Sequence, residues 1–371
     1  MKGTSDEHII FVTNMPTPYR TPVFKTLHDE FGVKFSVIFC SHRETNRSWN
    51  ADFSGFPAFF LKENYIKKED GFNFVHNNID IFRLLFRLKP TLIVTCGFNP
   101  THLYAFLFSK VLGIPHMVMT DGWKHSERFL SALHRQVRRV VFKLSAGVIV
   151  AGSKGAIYAK EQFKIPKEKI KVVPLVTPIQ NGPTEILQYG DRDIDFLFIG
   201  QLEPRKNPLL MLDAIELISK RRHKPFSAHF VGTGVLEEKC LERAKSLGKN
   251  VHFHGSLPFE RVEEITKRSR FLVFPTSLDA WGLVVNEALA CGTPVIGSPY
   301  AASVYDLLNE NTGFIMDDLS VFSLAKIMDQ ALDQSKAEWK CRSNACLEHS
   351  SLFTVQSAAL ALKKALDIKT V

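Results

Sequence analysis

The sequence lacks several features that mark common classes of protein. Its six cysteines form no Cys-x-x-Cys pair, so we expect free thiols in a reducing cytosol. No apolar run approaches the roughly 18 residues of a transmembrane helix, and the residues before Ile9 show no charged-then-apolar signal pattern. These absences predict a cytoplasmic protein that is at most peripheral on the inner face of the membrane.

Acidic residues are scarce in the first half of the chain. Residues 1–177 contain 25 Lys+Arg against 14 Asp+Glu, a net charge of +11, whereas residues 178–371 contain 22 against 24, a net charge of −2. An electropositive half attracts phosphates, anionic lipid or nucleic acid. A solvated basic surface without a partner is the alternative.

A Gly-x-Gly-x-x-Gly turn is also missing after the first apolar run. A dinucleotide-binding domain would carry it there, but the run Ile9–Thr13 is followed by Asn-Met-Pro-Thr-Pro-Tyr-Arg-Thr-Pro. This absence argues against an enzyme that uses NAD.

Short apolar runs do alternate with segments of helical period through both halves of the chain. Runs that are apolar throughout are typical of parallel strands covered on both faces, and the alternation predicts an α/β fold with two Rossmann-like doubly wound domains. We place an N-terminal domain at 1–177, a Pro- and Gly-containing linker at 178–195, a second domain at 196–345 and a C-terminal helix at 346–371.

The most informative stretch is 277–297, Ser-Leu-Asp-Ala-Trp-Gly-Leu-Val-Val-Asn-Glu-Ala-Leu-Ala-Cys-Gly-Thr-Pro-Val-Ile-Gly. Asp279 lies eight positions before Glu287, and a helix-like run begins after Gly282, at Leu283. The N–H groups and partial positive charge of a helix N-terminus suit a phosphate. A carboxylate one to two turns further on can accept hydrogen bonds from a ribose diol. The stretch therefore predicts a site for a sugar nucleotide, with a buried βα unit carrying solvated acids as the alternative.

This stretch also resembles the donor site of the retaining family 4 glycosyltransferases, which have the GT-B fold of two domains facing a cleft. Their signature is Glu, seven residues, Glu, and then a Gly-x-Pro-Val turn; Asp279 departs from it by one methylene. The resemblance implies that the second domain binds a UDP-, GDP- or similar nucleotide sugar and the first a glycan or lipid-linked acceptor, without a separate cofactor or nucleic acid. It also implies retention of the anomeric configuration, and in such folds terminal helices often cross back to the first domain.

Gly200 is followed by Gln-Leu-Glu-Pro-Arg-Lys, which resembles the family's Gly-Arg-x-x-x-x-Lys-Gly loop. Lys206 falls on the family lysine that binds the donor pyrophosphate, Gln201 replaces the usual arginine, and Arg205 is a candidate to compensate. A solvated pair of charges is the alternative. Gly232 and Gly234, in Phe-Val-Gly-Thr-Gly, are candidate positions of close approach to the donor diphosphate.

Candidate residues of the acceptor side come from the first half. Tyr19 and Arg20 lie in a Pro-x-Tyr-Arg loop like that of many family 4 enzymes, where they would meet the acceptor or a phosphate; a purely structural loop is as plausible. Asp121, a candidate catalytic residue together with Lys206, Arg205 and Asp279, follows the run His116–Thr120 at the place where related enzymes have a histidine that contacts the transferred sugar.

Two further patterns concern partners and metals. Apolar residues recur at helical spacing over 130–144, opposite His134 and four basic residues, which is typical either of a helix on anionic lipid or of a helix packed on the sheet with a solvated basic face. Asp-Arg-Asp-Ile-Asp at 191–195 imitates a metal-binding Asp-x-Asp motif, but it lies at the amino end of a strand, away from where ligands bind. We therefore expect no metal.

The interpretation that these observations favour is a metal-independent hexosyltransferase of cell-surface polysaccharide synthesis. Two rivals remain open from the sequence. One is a GT-B-like sugar-nucleotide epimerase or hydrolase. The other is a non-catalytic subunit that binds sugar nucleotides, which Gln201 and Asp279 leave open because they depart from the family pattern.

Overall fold

Runs of consecutive apolar residues form the strands of a seven-stranded parallel sheet, in which every residue of the first two strands is buried. The order along the sheet is β3-β2-β1-β6-β7-β8-β9. Its strands are β1 (Ile9–Thr13), β2 (Phe35–Phe39), β3 (Ala58–Phe60), β6 (Leu92–Thr95), β7 (His116–Thr120), β8 (Gly147–Val150) and β9 (Ile170–Val172). Two short strands, β4 (Tyr65–Lys67) and β5 (Phe74–His76), form a separate antiparallel pair.

A second parallel sheet has six strands in the order β12-β11-β10-β13-β14-β15. They are β10 (Ile194–Ile199), β11 (Ala228–Val231), β12 (Val251–Phe253), β13 (Ser269–Phe274), β14 (Val295–Gly297) and β15 (Gly313–Ile315). The chain order reverses between β10 and β13, and in sheets of this kind ligands bind outside the carboxyl ends of the strands at such a reversal.

Helices connect the strands, as parallel pairing requires. Pro100 and Pro208 begin two of them, at a position where the missing N–H costs no hydrogen bond. In the first sheet's region the helices are α1 (Thr21–Asp29), α2 (Ile81–Leu88), α3 (Pro100–Val111), α4 (Ala132–Leu144), α5 (Ser153–Phe163) and the C-terminal α13 (Val355–Leu366). The others are α6 (Pro208–Ser219), α7 (Glu237–Lys245), α8 (Phe259–Lys267), α9 (Leu283–Ala290), α10 (Ala302–Leu307), α11 (Val321–Leu332) and α12 (Lys336–Ser350).

This computed structural model describes residues 8–44, 52–67, 74–179 and 187–367. The chain divides into two compact units, Met1–Pro178 with Val355–Val371, and Ile179–Thr354. Of the expected linker, residues 180–186 lie outside the described residues, and its end already belongs to β10. Within the described ranges, no helix combines the length and apolar character needed to cross a membrane. The α/β class with parallel sheets is confirmed.

Candidate functional site

The loops that follow β10 and β11 are held together by direct backbone contact. A Cβ atom on Gly232 would lie 2.0 Å from the carbonyl oxygen of Gly200, and one on Gly234 would lie 2.5 Å from that of Leu202. The amide of Leu202 also donates to the carbonyl of Thr233 at 2.9 Å. These glycines therefore fix the shape of the loop that carries Lys206, a role that the Gly-x-Gly pattern alone did not indicate.

Lys206 and Asp279 lie side by side, although 72 residues separate them in the sequence. The Lys206 ammonium is 2.5 Å from Oδ2 of Asp279, and the two side chains are only 13% and 17% exposed. Lys206 reaches this point from the loop after β10, and Asp279 from the loop after β13, where its amide donates to the carbonyl of Tyr300 at 3.0 Å. The two loops thus place a cation and a carboxylate at the reversal of the second sheet.

The environment of this pair keeps Asp279 ionised. Burial alone would raise the pKa of Asp279, but the adjacent Lys206 ammonium, with a smaller contribution from Arg205, holds that pKa below its ordinary value. The carboxylate is therefore available as a hydrogen-bond acceptor at neutral pH.

Arg205 ties the same two loops together. Its Nε lies 2.6 Å from a carboxylate oxygen of Glu203, which is buried, and its Nη1 donates to the carbonyl of Leu278 at 3.3 Å. Nη1 is also 3.9 Å from Asp279. The guanidinium is one-third exposed, so it keeps an open side.

Gly282 shapes the start of α9. Its φ of +100° is a left-handed conformation, and an added Cβ would lie 2.7 Å from the Phe274 ring. The Ser303 hydroxyl donates to the carbonyl of Trp281 at 2.7 Å and so fixes the residue that precedes Gly282. Leu283 then begins the helix, so its N-terminal amide groups lie in the same loop region as Asp279.

Glu287 lies inside α9 and is partly buried. Its carboxylate makes no hydrogen bond or ion pair with any residue in the described ranges. Burial raises the pKa of Glu287 to about 7. A desolvated carboxylate without a protein partner is suited to accept hydroxyl groups from a ligand.

The carboxyl end of α9 is held by a buried cation that the sequence did not reveal. Arg192 is fully buried; its Nη1 donates to the carbonyl of Ser269 at 2.7 Å and to Oγ1 of Thr293 at 2.8 Å, and its Nη2 donates to the carbonyl of Cys291 at 3.2 Å. Burial lowers the pKa of Arg192 to about 10, so the guanidinium stays charged at neutral pH. A cation at this end also complements the helix dipole.

The two acids that follow Arg192 in the sequence are engaged in ion pairs of their own. Asp193 pairs with Arg268, and Asp195 pairs with Arg270 at 2.5 Å and accepts from the amide of Ser227 at 2.9 Å. Among the described residues, no group of three or more His, Cys, Asp or Glu is placed to hold a metal ion. The Asp-x-Asp pattern therefore corresponds to ion pairs at the amino end of β10.

In the first unit, Tyr19 and Arg20 lie at the carboxyl end of the sheet. The Arg20 guanidinium lies 5.9 Å from the centre of the Tyr19 ring and donates to the sulfur of Met119, on β7. Burial lowers the pKa of Arg20, but the nearby Cys96, Tyr19 and Asp121 groups raise it by more, so that it stays above the ordinary value. The sequence-predicted residues Tyr19, Arg20 and Asp121 are thus brought to one end of one sheet.

Helix α4 has a buried side and an exposed apolar side. Val141 and Phe142 are buried, whereas Leu133 is 72% exposed and Leu144 56% exposed. Arg138, expected on the basic face, is instead largely buried, with its Nε 2.9 Å from Glu127. The exposed part of α4 therefore combines apolar side chains with exposed basic ones, namely His134, Arg135 and Lys143.

The sequence is similar to those of proteins described as glycosyltransferases. Residues 185–347 match the profile of the family described as Glycosyl transferases group 1. The chain is 26% identical over 293 residues to an uncharacterized glycosyltransferase of Methanocaldococcus jannaschii, covering 74% of each protein. It is 23% identical over 300 residues to the GalNAc-alpha-(1->4)-GalNAc-alpha-(1->3)-diNAcBac-PP-undecaprenol alpha-1,4-N-acetyl-D-galactosaminyltransferase of Campylobacter jejuni, covering 78% of this chain and 81% of that protein.

The fold is similar to solved structures over nearly the whole chain. Alr3699/HepE of Anabaena, in complex with UDP and glucose, matches with a TM-score of 0.73 and 16% identity, covering 97% of this chain and 99% of that one. The fold is therefore that of the GT-B glycosyltransferase structures, and the second unit contains the segment that matches the Glycosyl transferases group 1 profile.

Proposed function

We propose that this protein is a retaining glycosyltransferase of family 4. It moves a hexosyl group from a nucleotide diphosphate sugar to a glycan or lipid-linked acceptor in cell-surface polysaccharide synthesis. The observation that carries the proposal is the Lys206–Asp279 pair beside the start of α9, within the segment that matches the family. The Campylobacter relative, whose name includes a pyrophosphoryl-undecaprenol glycan acceptor, supports the acceptor class.

The donor site that we propose assigns one chemical role to each group. The carboxylate of Glu287 accepts the ribose hydroxyls, and Asp279 accepts hydroxyls of the transferred sugar. Lys206, assisted by Arg205, and the N-terminal amides of α9 after Gly282 bind the diphosphate. The backbone around Gly200, Gln201, Gly232 and Gly234 borders the donor, and the donor domain is assigned to residues 196–345.

The reaction is a front-face substitution at the anomeric carbon. The acceptor hydroxyl oxygen forms the new glycosidic bond while the bond between the anomeric carbon and the phosphate oxygen breaks on the same face. The hydroxyl proton passes to the departing phosphate oxygen, and the nucleoside diphosphate leaves. Negative charge grows on that diphosphate in the transition state, so Lys206 stabilises the transition state more than the bound donor.

The acceptor is assigned to the N-terminal domain, residues 1–177, with Tyr19, Arg20 and Asp121 at the carboxyl end of its sheet. The exposed apolar and basic side chains of α4, with the +11 charge of this region, favour a peripheral position on an anionic inner membrane face. We expect sedimentation with anionic but not neutral vesicles, and release at high salt because exposed charges are screened. Equal sedimentation with both kinds of vesicle would contradict this assignment.

Transfer is proposed to be metal-independent. The acids of the Asp-x-Asp pattern support this, because Asp193 and Asp195 are neutralised by arginines at the amino end of β10.

A donor screen followed by product analysis tests the proposal. Thermal shift against UDP-, GDP- and ADP-sugars identifies the donor, since a ligand that binds only the folded state raises its stability. The stabilising donor is then incubated with glycan and lipid-linked acceptors, and the products are identified by mass spectrometry. Lys206→Ala should abolish most transfer, and Lys239→Ala, which removes an exposed cation from α7, is the matched control.

Each outcome of that screen has a definite meaning. A glycosylated acceptor with retained configuration supports the proposal. An epimerised or hydrolysed donor without transfer would make the protein an epimerase or hydrolase, and stable binding without turnover would make it a non-catalytic binding subunit. No binding to any nucleotide sugar would overturn the donor site itself.

A further inference from the structure

Arg20 is a half-buried arginine that lacks a carboxylate partner. Arg138 pairs directly with Glu127 at 2.9 Å and Arg270 with Asp195 at 2.5 Å, and the fully buried Arg192 donates to two carbonyl oxygens and a hydroxyl. No carboxylate of the described residues lies within 4.0 Å of the Arg20 guanidinium. Its contacts are the sulfur of Met119 and the side chain of Tyr19.

These contacts leave most of the hydrogen-bonding capacity of Arg20 unused. A guanidinium has five N–H donors, and a thioether sulfur is a weak acceptor without charge. A cation removed from water is costly unless an anion or several strong acceptors replace the water. Asp121, on the loop after β7, influences Arg20 electrostatically but makes no ion pair with it. Among the described residues, therefore, no carboxylate pairs directly with the positive charge of Arg20.

Arg20 borders a pocket whose other walls are mainly apolar. Residues from the ends of β7 and β8, including Thr120 and Val150, line this pocket together with Val173 and with Leu362 from α13. The pocket lies at the carboxyl ends of parallel strands, where ligands of such sheets bind. Apolar walls exclude water, which strengthens the attraction between Arg20 and an anion in the pocket.

We propose that Arg20 forms an oxyanion subsite, and that the acceptor carries a phosphate or a carboxylate which this guanidinium binds. Both groups present two oxygen atoms that match the planar fork of an arginine. That the bound molecule is the acceptor rests on the proposed function. The oxyanion subsite at Arg20 does not depend on sugar transfer. The subsite narrows the proposed acceptors to those that carry a phosphate or a carboxylate.

Binding of small probes tests the subsite directly. Inorganic phosphate, glucose 1-phosphate, glucuronate and glucose are titrated at low salt by ligand-observed NMR, in the parent and in a Lys206→Ala background that weakens phosphate binding at the donor loop. Arg20→Gln removes the charge, and Arg20→Lys keeps the charge but loses the fork. Lys25→Gln removes an exposed cation from α1, the helix that follows Arg20, and is the control. Circular dichroism and thermal melting check that each variant is folded.

We expect the Lys206→Ala background to bind glucose 1-phosphate or glucuronate more tightly than glucose, and Arg20→Gln to weaken that binding by roughly 10- to 100-fold. Arg20→Lys should lose part of it, and Lys25→Gln none. Preference for the phosphate or for the carboxylate probe identifies the oxyanion. Equal binding of charged and neutral probes in the Lys206→Ala background, or unchanged anion binding in folded Arg20→Gln or Arg20→Lys, would overturn the subsite. Failure of all nucleotide sugars in the donor screen would overturn the proposed function alone.

Discussion

Replacing Glu287 by glutamine should stabilise the free protein at neutral pH and at the same time weaken nucleotide binding. The carboxylate is partly buried on α9 without a partner among the described residues, and burial raises its pKa from 4.5 to about 7. Glutamine has nearly the same shape and carries no charge. The substitution therefore removes the free-energy cost of desolvating a carboxylate. It also removes a charged acceptor for the ribose hydroxyls of the ligand.

The size of the stability effect follows from the pKa. A rise from 4.5 to about 7 corresponds to about 3 kcal/mol between the two protonation states. Below pH 4.5 the group is protonated in the folded and unfolded chain alike, and the stability contribution is fully present. Between pH 4.5 and 7 the carboxyl of Glu287 ionises in the unfolded chain but stays mostly protonated in the folded one. Its contribution to the free energy of unfolding is therefore lost as the pH rises toward 7, and it stays lost above the folded-state pKa.

Glu287→Gln should therefore gain stability relative to the parent as the pH rises from 4.5 to 8, by up to about 3 kcal/mol. For a unit of this size, the gain corresponds to a rise in Tm of roughly 5–10 °C at pH 8 relative to acid pH. Thermal melting of parent and variant at pH 5 and pH 8 measures the difference. Glu242→Gln, which neutralises an exposed glutamate on α7, is the matched control and should show no such trend.

Whereas Glu287→Gln should stabilise the free protein, it should weaken nucleoside binding. If the ionised carboxylate accepts the ribose hydroxyls, binding favours the deprotonated form, and the parent's affinity for the nucleoside should rise with pH up to about 7 and then level off. The nucleoside is used because the phosphate groups of the diphosphate titrate in the same range. Glu287→Gln should bind roughly 10- to 100-fold more weakly and lose the pH dependence.

Two results would refute this reasoning. A Tm difference for Glu287→Gln that matches that of Glu242→Gln at both pH values would mean that Glu287 is not a desolvated charge. Nucleoside binding of parental strength in the folded variant would remove Glu287 from the ribose site, whatever its effect on stability.

Three further predictions concern the loops and the metal. Lys206→Ala should lower kcat by more than it weakens binding of the nucleoside, because its charge acts on the leaving diphosphate; equal loss in both, measured by kinetics and calorimetry, would make it a structural residue. Gly232→Ala should destabilise the second unit by several kcal/mol, since a Cβ would lie 2.0 Å from the carbonyl of Gly200. Gly248→Ala, at a positive φ but in open space, should cost only about 1–2 kcal/mol; similar melting of the two variants would contradict the close-contact argument. EDTA should leave transfer unchanged and Asp193→Asn should be nearly silent; activity lost in EDTA, restored by Mg²⁺ and abolished by Asp193→Asn would disprove metal independence.

The sequence predicted the central strands well because they are continuous apolar runs. The runs Ile9–Thr13 and His116–Thr120, which stand out in the sequence, form β1 and β7 at the same bounds. Burial on both faces leaves little room for polar residues in such strands, so the pattern is unambiguous. The three-residue edge strands β3, β9 and β15 were not expected, because so short a run carries little periodic signal of its own.

The contacts within the site could be anticipated only in part. Strand order explains why Lys206 and Asp279 meet, since their loops follow neighbouring strands β10 and β13. Motif spacing could not show that Arg205 binds Glu203 or that Arg138 is buried against Glu127. Those partners depend on side-chain packing between segments, which leaves no periodic signal in the sequence.

The support of α9 explains how an uncompensated carboxylate is tolerated in the second unit. Gly282 and Ser303 fix the start of the helix, and the buried Arg192 binds the carbonyl of Cys291 at its end. A helix held at both ends cannot easily turn Glu287 toward water, so the desolvation cost is carried by the folded state. Proteins accept such costs where a ligand later supplies the missing partners. We therefore expect the support at the end of α9 to keep Glu287 out of water. Arg192→Met should loosen this end and bring the pKa of Glu287 back toward 4.5, whereas a pKa that stays near 7 in the folded variant would show that the burial of Glu287 does not depend on Arg192.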